Sequence, residues 1–166
     1  TMWIRTETQS DHAAIDEVIG AAFAEMPGGG HVERSIVDAL RRDGALTLSR
    51  VADIDGRVAG HIAFSPVTAG DAAQGWYGLG PIAVAPGDQK HGIGGALILA
   101  GLAELERLRA HGCVVLGEPD YYSRFGFKNV PELVYPEAPA EYFMALPFGD
   151  RPARGVVAYH PAFAVA

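Results

Sequence analysis

The sequence predicts one α/β domain with a mixed sheet, and three patterns lead to that prediction. Strand-like and helix-like segments alternate along the chain. The pair Asp55-Gly56 lies between two apolar strand-like runs, which is typical of a β-hairpin because both turn residues need positive φ. A glycine-rich loop at residues 86–95 separates an apolar strand-like run from an apolar helix-like run. We therefore expect a domain of the α/β (α+β) class over residues 1–166, with about six or seven strands and about four helices.

The chain has the composition of a compact globular protein. Its 166 residues are enough to bury a sizeable core, and 49% of them are hydrophobic while 20% are charged. Acidic residues outnumber basic ones by 20 to 13, which gives a net charge of −7. A nucleic-acid partner needs a basic surface, so this balance predicts none.

The cysteine content and the apolar runs bear on the compartment. Cys113 is the only cysteine, so no intrachain disulfide can form, as expected in a reducing compartment. The N-terminal residues lack the pattern of a signal peptide, and no apolar run reaches the ~18 residues that span a bilayer. The six histidines form no short ligand cluster with the cysteine. We expect a cytoplasmic protein with no membrane partner and no metal.

The first part of the chain has the patterns of a strand, two helices and a hairpin. Residues 2–7 alternate in polarity, which predicts a first strand. Apolar residues at three- and four-residue spacing predict a helix over residues 11–25 and, after a proline and three glycines, a second helix that ends near Gly44. The two hairpin strands are predicted at residues 46–54 and 57–65.

The remainder alternates strands with helices. Residues 66–75, rich in Gly, Ala and Asp, predict a loop that leads to a strand at residues 76–84. After the glycine-rich loop comes a helix, and then the apolar residues 113–117 predict a strand buried on both faces and parallel to the previous one. A short helix at residues 119–125 precedes two late strands. These are predicted at residues 141–146 and 155–160.

The glycine-rich loop is suited to holding phosphate oxygens. Gly92, Gly94 and Gly95 allow the backbone to turn sharply and to approach a ligand closely. The helix that follows begins with free N–H groups and the positive end of its dipole. No Gly-Lys-Ser/Thr follows, so the loop is not a P-loop, and the glycine spacing does not fit the dinucleotide fingerprint.

The spacing within the loop points to a particular family. Gln89, Gly92 and Gly94 form Gln-x-x-Gly-x-Gly, which resembles the acetyl-CoA pyrophosphate loop of the GNAT N-acetyltransferase superfamily. Downstream, Tyr122 stands four residues before the pair Gly126-Phe127, as in the later segment of that family. The order of predicted strands and helices also matches the GNAT fold over nearly the whole chain.

The resemblance implies a fold and a donor. In GNAT proteins the strand before the loop and the strand after its helix splay apart, and the pantetheine arm of acetyl-CoA lies in the gap. The segments at residues 143–146 and 159–163 resemble those of a subgroup of small single-domain predicted acetyltransferases. The residues implied in binding the coenzyme are Ile82, Ala83, Val84, Gln89, Lys90, His91, Gly92, Ile93, Gly94, Gly95 and Tyr122.

The resemblance also implies catalytic candidates. Tyr122 is implied as the acid that protonates the departing thiolate, with Tyr121 as a substitute, although a core tyrosine would also fit this position. The backbone N–H of Val84 is the implied donor to the oxyanion. Many family members carry a glutamate on the strand before the loop, but residues 76–84 contain no acid. Glu118, after the following strand, is therefore the candidate base, directly or through water, or else a carboxylate that stabilises a helix start.

Three further residues are weaker candidates for the chemistry. His61 and His91 each stand alone on a strand or loop, where a histidine is more often structural than catalytic. Cys113 lies within an apolar strand and is expected in the core rather than as a nucleophile. Direct transfer is therefore favoured over an acyl-cysteine route.

The sequence favours an acetyl-CoA-dependent N-acetyltransferase that transfers the acetyl group directly to a primary amine in a ternary complex. The alternative is an acyl-CoA-binding module of the same fold, a sensor or interaction subunit, without transferase activity. The acceptor is expected to be a small-molecule or peptide amine, and the net charge slightly favours a cationic one. We expect a bacterial protein that is a monomer or a homodimer. The resemblance also implies that Glu25, Met26, Pro27 and the glycines after them lie over the acceptor cleft, as this helix-loop-helix does in GNAT proteins. Candidate residues to line that cleft are Phe23, Met26 and His31.

Overall fold

The computed structural model describes residues 1–164 and places eight strands and four α-helices in that range. The strands are β1 Met2–Thr6, β2 Leu48–Ile54, β3 Arg57–Ala69, β4 Ala72–Val84, β5 Gly112–Leu116, β6 Leu133–Val134, β7 Phe143–Pro147 and β8 Gly155–Ala158. The helices are α1 His12–Ala22, α2 His31–Arg42, α3 Ile93–Arg107 and α4 Pro119–Tyr122. This element order confirms the predicted α/β class.

One mixed sheet runs through the molecule in the strand order β1-β2-β3-β4-β5-β7. Neighbours along this path are antiparallel, except that β4 and β5, which flank α3, are parallel. β8 pairs with the end of β3 and with the two-residue strand β6. The predicted parallel strand–helix–strand unit is therefore confirmed.

Helices cover both faces of the sheet. Successive side chains of a strand point to opposite faces, so Ile62 and Phe64 of β3 share one buried cluster with Leu97 of α3. On the other face, Val51 and Ala83 belong to a cluster that α1 and α2 complete. The sheet is thus the middle layer between α3 and the α1–α2 pair.

α3 lies close to the sheet because Gly101 has no side chain. A Cβ at this position would collide with the ring of Phe64. The close approach holds α3, and the loop at its start, against β3.

The structure corrects the predicted loop at residues 66–75, which is strand instead. β3 continues to Ala69 and β4 begins at Ala72, so a tight turn at Gly70-Asp71 joins them. The small residues of this segment have weak strand propensity, but β8 pairs with Thr68 and Ala69 and supplies main-chain partners. Pairing with a strand about ninety residues later in the chain is not visible in the local sequence.

Other boundaries differ from the predicted ones by a few residues. α1 ends at Ala22 rather than at residue 25, because Ala24 and Met26 donate their N–H groups three residues back and form tight turns. β7 begins at Phe143 because residues 140–142 form a 3₁₀ turn. β8 ends at residue 158 rather than 160, and the predicted helix at 119–125 is α4 followed by a 3₁₀ turn.

Candidate active site

β4 and β5 separate part-way along their length. They pair over three positions, from Trp76–Gly112 to Gly78–Val114. Beyond that point each strand is paired only along its other edge, β5 with β7 and β4 with β3. Within residues 1–164, Leu79–Val84 therefore have no strand partner on the β5 side. This gap, called the wedge below, confirms the splay implied by the sequence.

The backbone of Val84 faces the wedge. The next residue, Ala85, donates its N–H to the Ala59 carbonyl beside it at 2.8 Å and so points toward β3. Main-chain polar groups alternate in direction along a strand, so those of Val84 and Ile82 point into the wedge while those of Ala83 point to β3. Consistently, the Val84 carbonyl accepts a hydrogen bond from the side-chain amide of Gln89 at 3.0 Å.

The glycine-rich loop forms the far end of the wedge. Gly92 has φ +80° and serves as the N-cap of α3, so the chain turns abruptly into the helix. The first helical N–H with a backbone acceptor is that of Ala96, which donates to the Gly92 carbonyl at 3.0 Å. In the part of the chain that the structure describes, the N–H groups of residues 90–95 have no backbone acceptor. The loop is therefore a set of free donors at a helix N-terminus.

Tyr121 closes over the start of α3. Its hydroxyl oxygen lies 3.2 Å from the point where a Cβ on Gly94 would stand, so a larger residue there would be crowded. The Tyr121 ring makes edge contacts with Phe125 at 5.4 Å and with Tyr122 at 5.0 Å between centroids. Burial raises the pKa of the Tyr121 phenol above its usual value.

Tyr122 lies between the core and a cavity at the open side of the wedge. It is buried, and its ring packs edge-on against Phe127 at 5.9 Å between centroids. Burial, followed by the proximity of Tyr121 and Cys113, raises the pKa of the Tyr122 phenol to about 12. The phenol therefore keeps its proton at neutral pH and can act as an acid.

The cavity next to Tyr122 has a volume of about 450 Å³ and is mostly apolar. It lies at the beginning of the unpaired part of β4 and extends to α2 and to the residues after β8. We call it the acceptor cavity. Its aromatic lining residues are Phe23, Tyr122, Tyr135, Tyr159 and Phe163. The others are Glu33, Ile36, Leu79, Gly80, Pro81, Ile82 and Leu116.

Glu33 and Tyr159 are lining residues that the sequence reasoning missed. Glu33 stands three and four residues before Ile36 and Val37, which is the spacing of the buried stripe of α2. A carboxylate on an apolar stripe is a signal that would have identified it. Tyr159 carries no comparable local signal, because its position depends on how the chain after β8 packs. Burial raises the pKa of the Tyr159 phenol.

Of the other residues that the sequence predicts at the site, some line the acceptor cavity and others do not. Phe23 lines the acceptor cavity, whereas Met26 and His31 are exposed. Glu118 is exposed at the N-cap of α4, where its carbonyl accepts the N–H of Tyr122 at 3.0 Å. The Glu118 side chain does not line the cavity, although Leu116, two residues earlier, does.

The two histidine candidates lie apart from the cavity. His91 is exposed on the glycine-rich loop, and its Nδ1 is 3.4 Å from the Asp88 carbonyl oxygen. His61 is fully buried on β3, and its Nε2 is 2.8 Å from the Ser49 hydroxyl. Burial lowers the pKa of His61 to about 4, so the imidazole is neutral at physiological pH.

The environment of Cys113 bears on its reactivity. Cys113 is fully buried in β5, and burial raises the pKa of its thiol, so it is not an available thiolate. Among the described residues, no group of three or more His, Cys, Asp or Glu side chains is placed to hold a metal ion. None of the helices within residues 1–164 has the length and apolarity needed to cross a membrane.

Comparison with known proteins agrees with this geometry. Residues 47–129 match the family model of the acetyltransferase (GNAT) domain. The uncharacterized N-acetyltransferase YhbS of Escherichia coli K12 is 38% identical over 128 residues, which is 76% of this chain and 74% of the relative.

Two solved structures share the whole fold. A GNAT family acetyltransferase from Brucella melitensis, in complex with acetyl-CoA, has a TM-score of 0.86 and 52% identity, with 98% of each chain covered. The E. coli YhbS structure, in complex with CoA, has a TM-score of 0.89 and 33% identity, covering 98% of this chain and 92% of the other. The wedge, the glycine-rich loop and these matches together show that the chain belongs to the GNAT family of N-acetyltransferases.

Proposed function

We propose that this protein transfers the acetyl group of acetyl-CoA directly to a primary amine in a ternary complex. The observation that carries the proposal is the wedge between β4 and β5, which has free backbone donors at one end and the acceptor cavity at the other. Two substrates that enter from these two ends would meet beside Tyr122. Family membership supports the general reaction, and the geometry supports direct transfer.

The wedge and the loop fit a coenzyme A thioester. Ile82 and Val84 direct main-chain groups into the wedge, where an amide-containing pantetheine arm needs partners. The free N–H groups of residues 90–95 suit a pyrophosphate. The relatives with acetyl-CoA or CoA in their crystal structures support this assignment. The proposed contacts are Ile82, Val84, Gln89, Lys90, His91, Gly92, Ile93, Gly94, Gly95 and Tyr122. Ala83, which the resemblance also implied, is left out because its main-chain groups point to β3 and its side chain packs with α1 and α2.

Tyr122 is the proposed general acid. Its phenol keeps its proton because burial raises its pKa to about 12, and its ring lines the acceptor cavity. When the amine attacks the thioester carbonyl, the carbon–sulfur bond breaks and Tyr122 donates its proton to the sulfur. The N–H of Val84, which points into the wedge, is the proposed donor to the carbonyl oxygen as charge develops there.

Glu118 is the proposed acceptor of the proton that the amine loses. It is exposed next to the cavity mouth formed by Leu116, so it would act through a water molecule. Burial of Cys113 and its raised thiol pKa support direct transfer rather than an acyl-cysteine intermediate. We propose a cytoplasmic monomer or homodimer whose acceptor is a small-molecule or peptide amine, with no nucleic-acid partner.

The proposal is tested with Tyr122→Phe, which removes only the hydroxyl. Calorimetry with CoA should give nearly the same Kd as the wild type, while kcat with any accepted amine falls by about 10²–10⁴-fold. Tyr142→Phe, at a half-exposed tyrosine outside the cavity, is the matched control and should keep wild-type kcat. Tight CoA binding without turnover of any amine in a broad panel would instead identify a coenzyme-binding module.

A further inference from the structure

Glu33 is the acidic residue that lines the acceptor cavity, and one of its two carboxylate oxygens has no partner within residues 1–164. Glu33 lies in the first turn of α2 and lines the cavity. Its Oε1 atom is shielded from solvent and, within residues 1–164, makes no hydrogen bond. Leaving a buried carboxylate oxygen unpaired costs free energy. A cation bound at Glu33 would offset part of that cost.

The charge of the cavity suits a single cation. Glu33 is the one charged side chain among the described residues that line it. An ammonium group would donate to Oε1 and balance its charge. A polyamine would bring further positive charges into an apolar space that offers them no counter-charge.

The walls of the cavity suit a flat apolar group. Tyr159 contacts Tyr135 at 5.3 Å and Phe163 at 5.1 Å between ring centroids, so these three side chains form a continuous aromatic wall. A ring gains favourable offset or edge contacts against such a wall. The volume of about 450 Å³ is that of a small-ligand site.

Tyr159, another lining residue of the cavity, also carries a polar atom without a partner within residues 1–164. Its hydroxyl is shielded from solvent and makes no hydrogen bond to any of the residues that the structure describes. A phenol hydroxyl both donates and accepts, so it is available to a polar group of a ligand that reaches it. Glu33 and Tyr159 are thus two lining residues of one cavity, each with a polar atom that no residue within 1–164 pairs.

From these contacts we infer that the acceptor is a small primary amine carried by an aromatic or similarly flat apolar group, with its ammonium on Glu33 and its ring against Tyr135, Tyr159 and Phe163. This inference rests on the proposed function and names the substrate class of that site. Glu33 is a specificity-determining residue, because it binds the amine rather than taking part in the bond changes.

The test is calorimetric titration of the protein saturated with CoA, a complex that cannot turn over. The wild type should bind 2-phenylethylamine at least tenfold more tightly than spermidine and than the uncharged 2-phenylethanol. Glu33→Gln keeps the shape but removes the charge, so it should weaken 2-phenylethylamine binding at least tenfold and leave CoA binding unchanged. Tyr159→Phe should weaken the amine several-fold.

Three measurements distinguish a loss of amine recognition from a loss of folding. Neither Glu33 Oε1 nor the Tyr159 hydroxyl has a partner to lose within residues 1–164, so both variants should keep the wild-type Tm. Glu106→Gln removes a charge from an exposed residue of α3, which does not line the cavity, and should bind the amine as the wild type does. In turnover assays Glu33→Gln should raise KM for 2-phenylethylamine far more than it lowers kcat.

Three results would overturn the inference: no binding of 2-phenylethylamine, equal or tighter binding of spermidine, or unchanged amine binding by Glu33→Gln. In each case CoA binding and acetylation of other amines would still support the proposed function. Failure to bind CoA would contradict the proposed function itself, and titration of the CoA-free protein with 2-phenylethylamine would still report on the cavity.

Discussion

His61 donates its Nε2–H to the Ser49 hydroxyl oxygen across 2.8 Å, because the single proton of that hydroxyl is already donated to Glu7. The bond sets the tautomer of the imidazole and leaves its buried Nδ1 as an acceptor, with no partner in the described part of the chain. Burial then lowers the pKa of His61 to about 4.

We predict that His61 makes the protein less stable as the pH falls below 6.5. The unfolded histidine binds a proton near pH 6.5 and the folded one only near 4, so its contribution is complete above pH 6.5 and is lost toward pH 4. The slope is about 1.4 kcal/mol per pH unit. Urea unfolding from pH 4 to 7 should show a shallower slope for His61→Gln, whereas His31→Gln, at an exposed position, should retain the full slope. Equal slopes for the wild type and His61→Gln would contradict this account.

Ionisation of Tyr122 should not lower kcat at high pH. A pKa of about 12 keeps the phenol protonated up to at least pH 10. We expect kcat to show no decline with an apparent pKa near 10, in profiles measured with a saturating amine between pH 6 and 10. A decline centred near 10 that is absent from Tyr122→Phe would show an ordinary, solvated tyrosine.

Glu118→Gln distinguishes the two interpretations of this carboxylate. As the proton acceptor, its loss should lower kcat by about 10²-fold with little change in the amine KM. As a helix-start carboxylate only, its loss should leave kcat intact and cost about 0.5 kcal/mol of folding free energy. Asp120→Asn, an exposed acid in the same turn, is the matched control. Steady-state kinetics and thermal unfolding of both variants provide the comparison.

Gly94→Ala should weaken coenzyme binding through Tyr121. The added methyl group would stand 3.2 Å from the Tyr121 hydroxyl, which must then move. We expect Kd for CoA to rise about tenfold, equivalent to about 1.4 kcal/mol. The double variant Gly94→Ala/Tyr121→Phe removes the obstacle and should regain most of the affinity. If the double variant binds CoA as weakly as Gly94→Ala, the Tyr121 hydroxyl is not the cause of the lost affinity.

Gly101→Ala should destabilise the fold without touching the site. The new methyl group would collide with Phe64, and overpacking of this kind costs about 2 kcal/mol. Gly95→Ala, also in α3, meets only an ordinary contact with Phe125 at 3.6 Å and should gain about 1 kcal/mol of helix propensity. Denaturant unfolding of the two variants should therefore shift in opposite directions.

Local patterns were enough to predict the strands, loop and helix that we propose to hold the donor. The hairpin at Asp55-Gly56, the strand before the loop, α3 and β5 all depend on residues that are near each other in sequence, and the structure confirms them. The end of β3 and the beginning of β4 were predicted as a loop. They are strand because β8, which is distant in sequence, pairs with the end of β3 at Ala69.

The lining residues of the acceptor cavity were harder to predict from the sequence for the same reason. Glu33 and Tyr159 line one cavity although 126 positions separate them in the sequence. Their proximity depends on how α2 and the residues after β8 pack beside the wedge. The spacing within α2 marks Glu33 as lying on its buried stripe, but no pattern in either segment shows that Glu33 and Tyr159 meet at one cavity, whereas the glycine-rich loop carries its own signal.

Within residues 1–164, three residue pairs join β4 to β5, fewer than join any other neighbours in the order β1-β2-β3-β4-β5-β7. Acetyl-CoA bound in the wedge would stabilise this part of the sheet, because it would form hydrogen bonds with main-chain groups of β4 that no strand within residues 1–164 pairs. Occupancy and folding are then thermodynamically linked, and stability should rise with donor concentration as RT ln(1 + [L]/Kd). The amount of free coenzyme in the cell would thus set the lifetime of the protein as well as its rate of turnover.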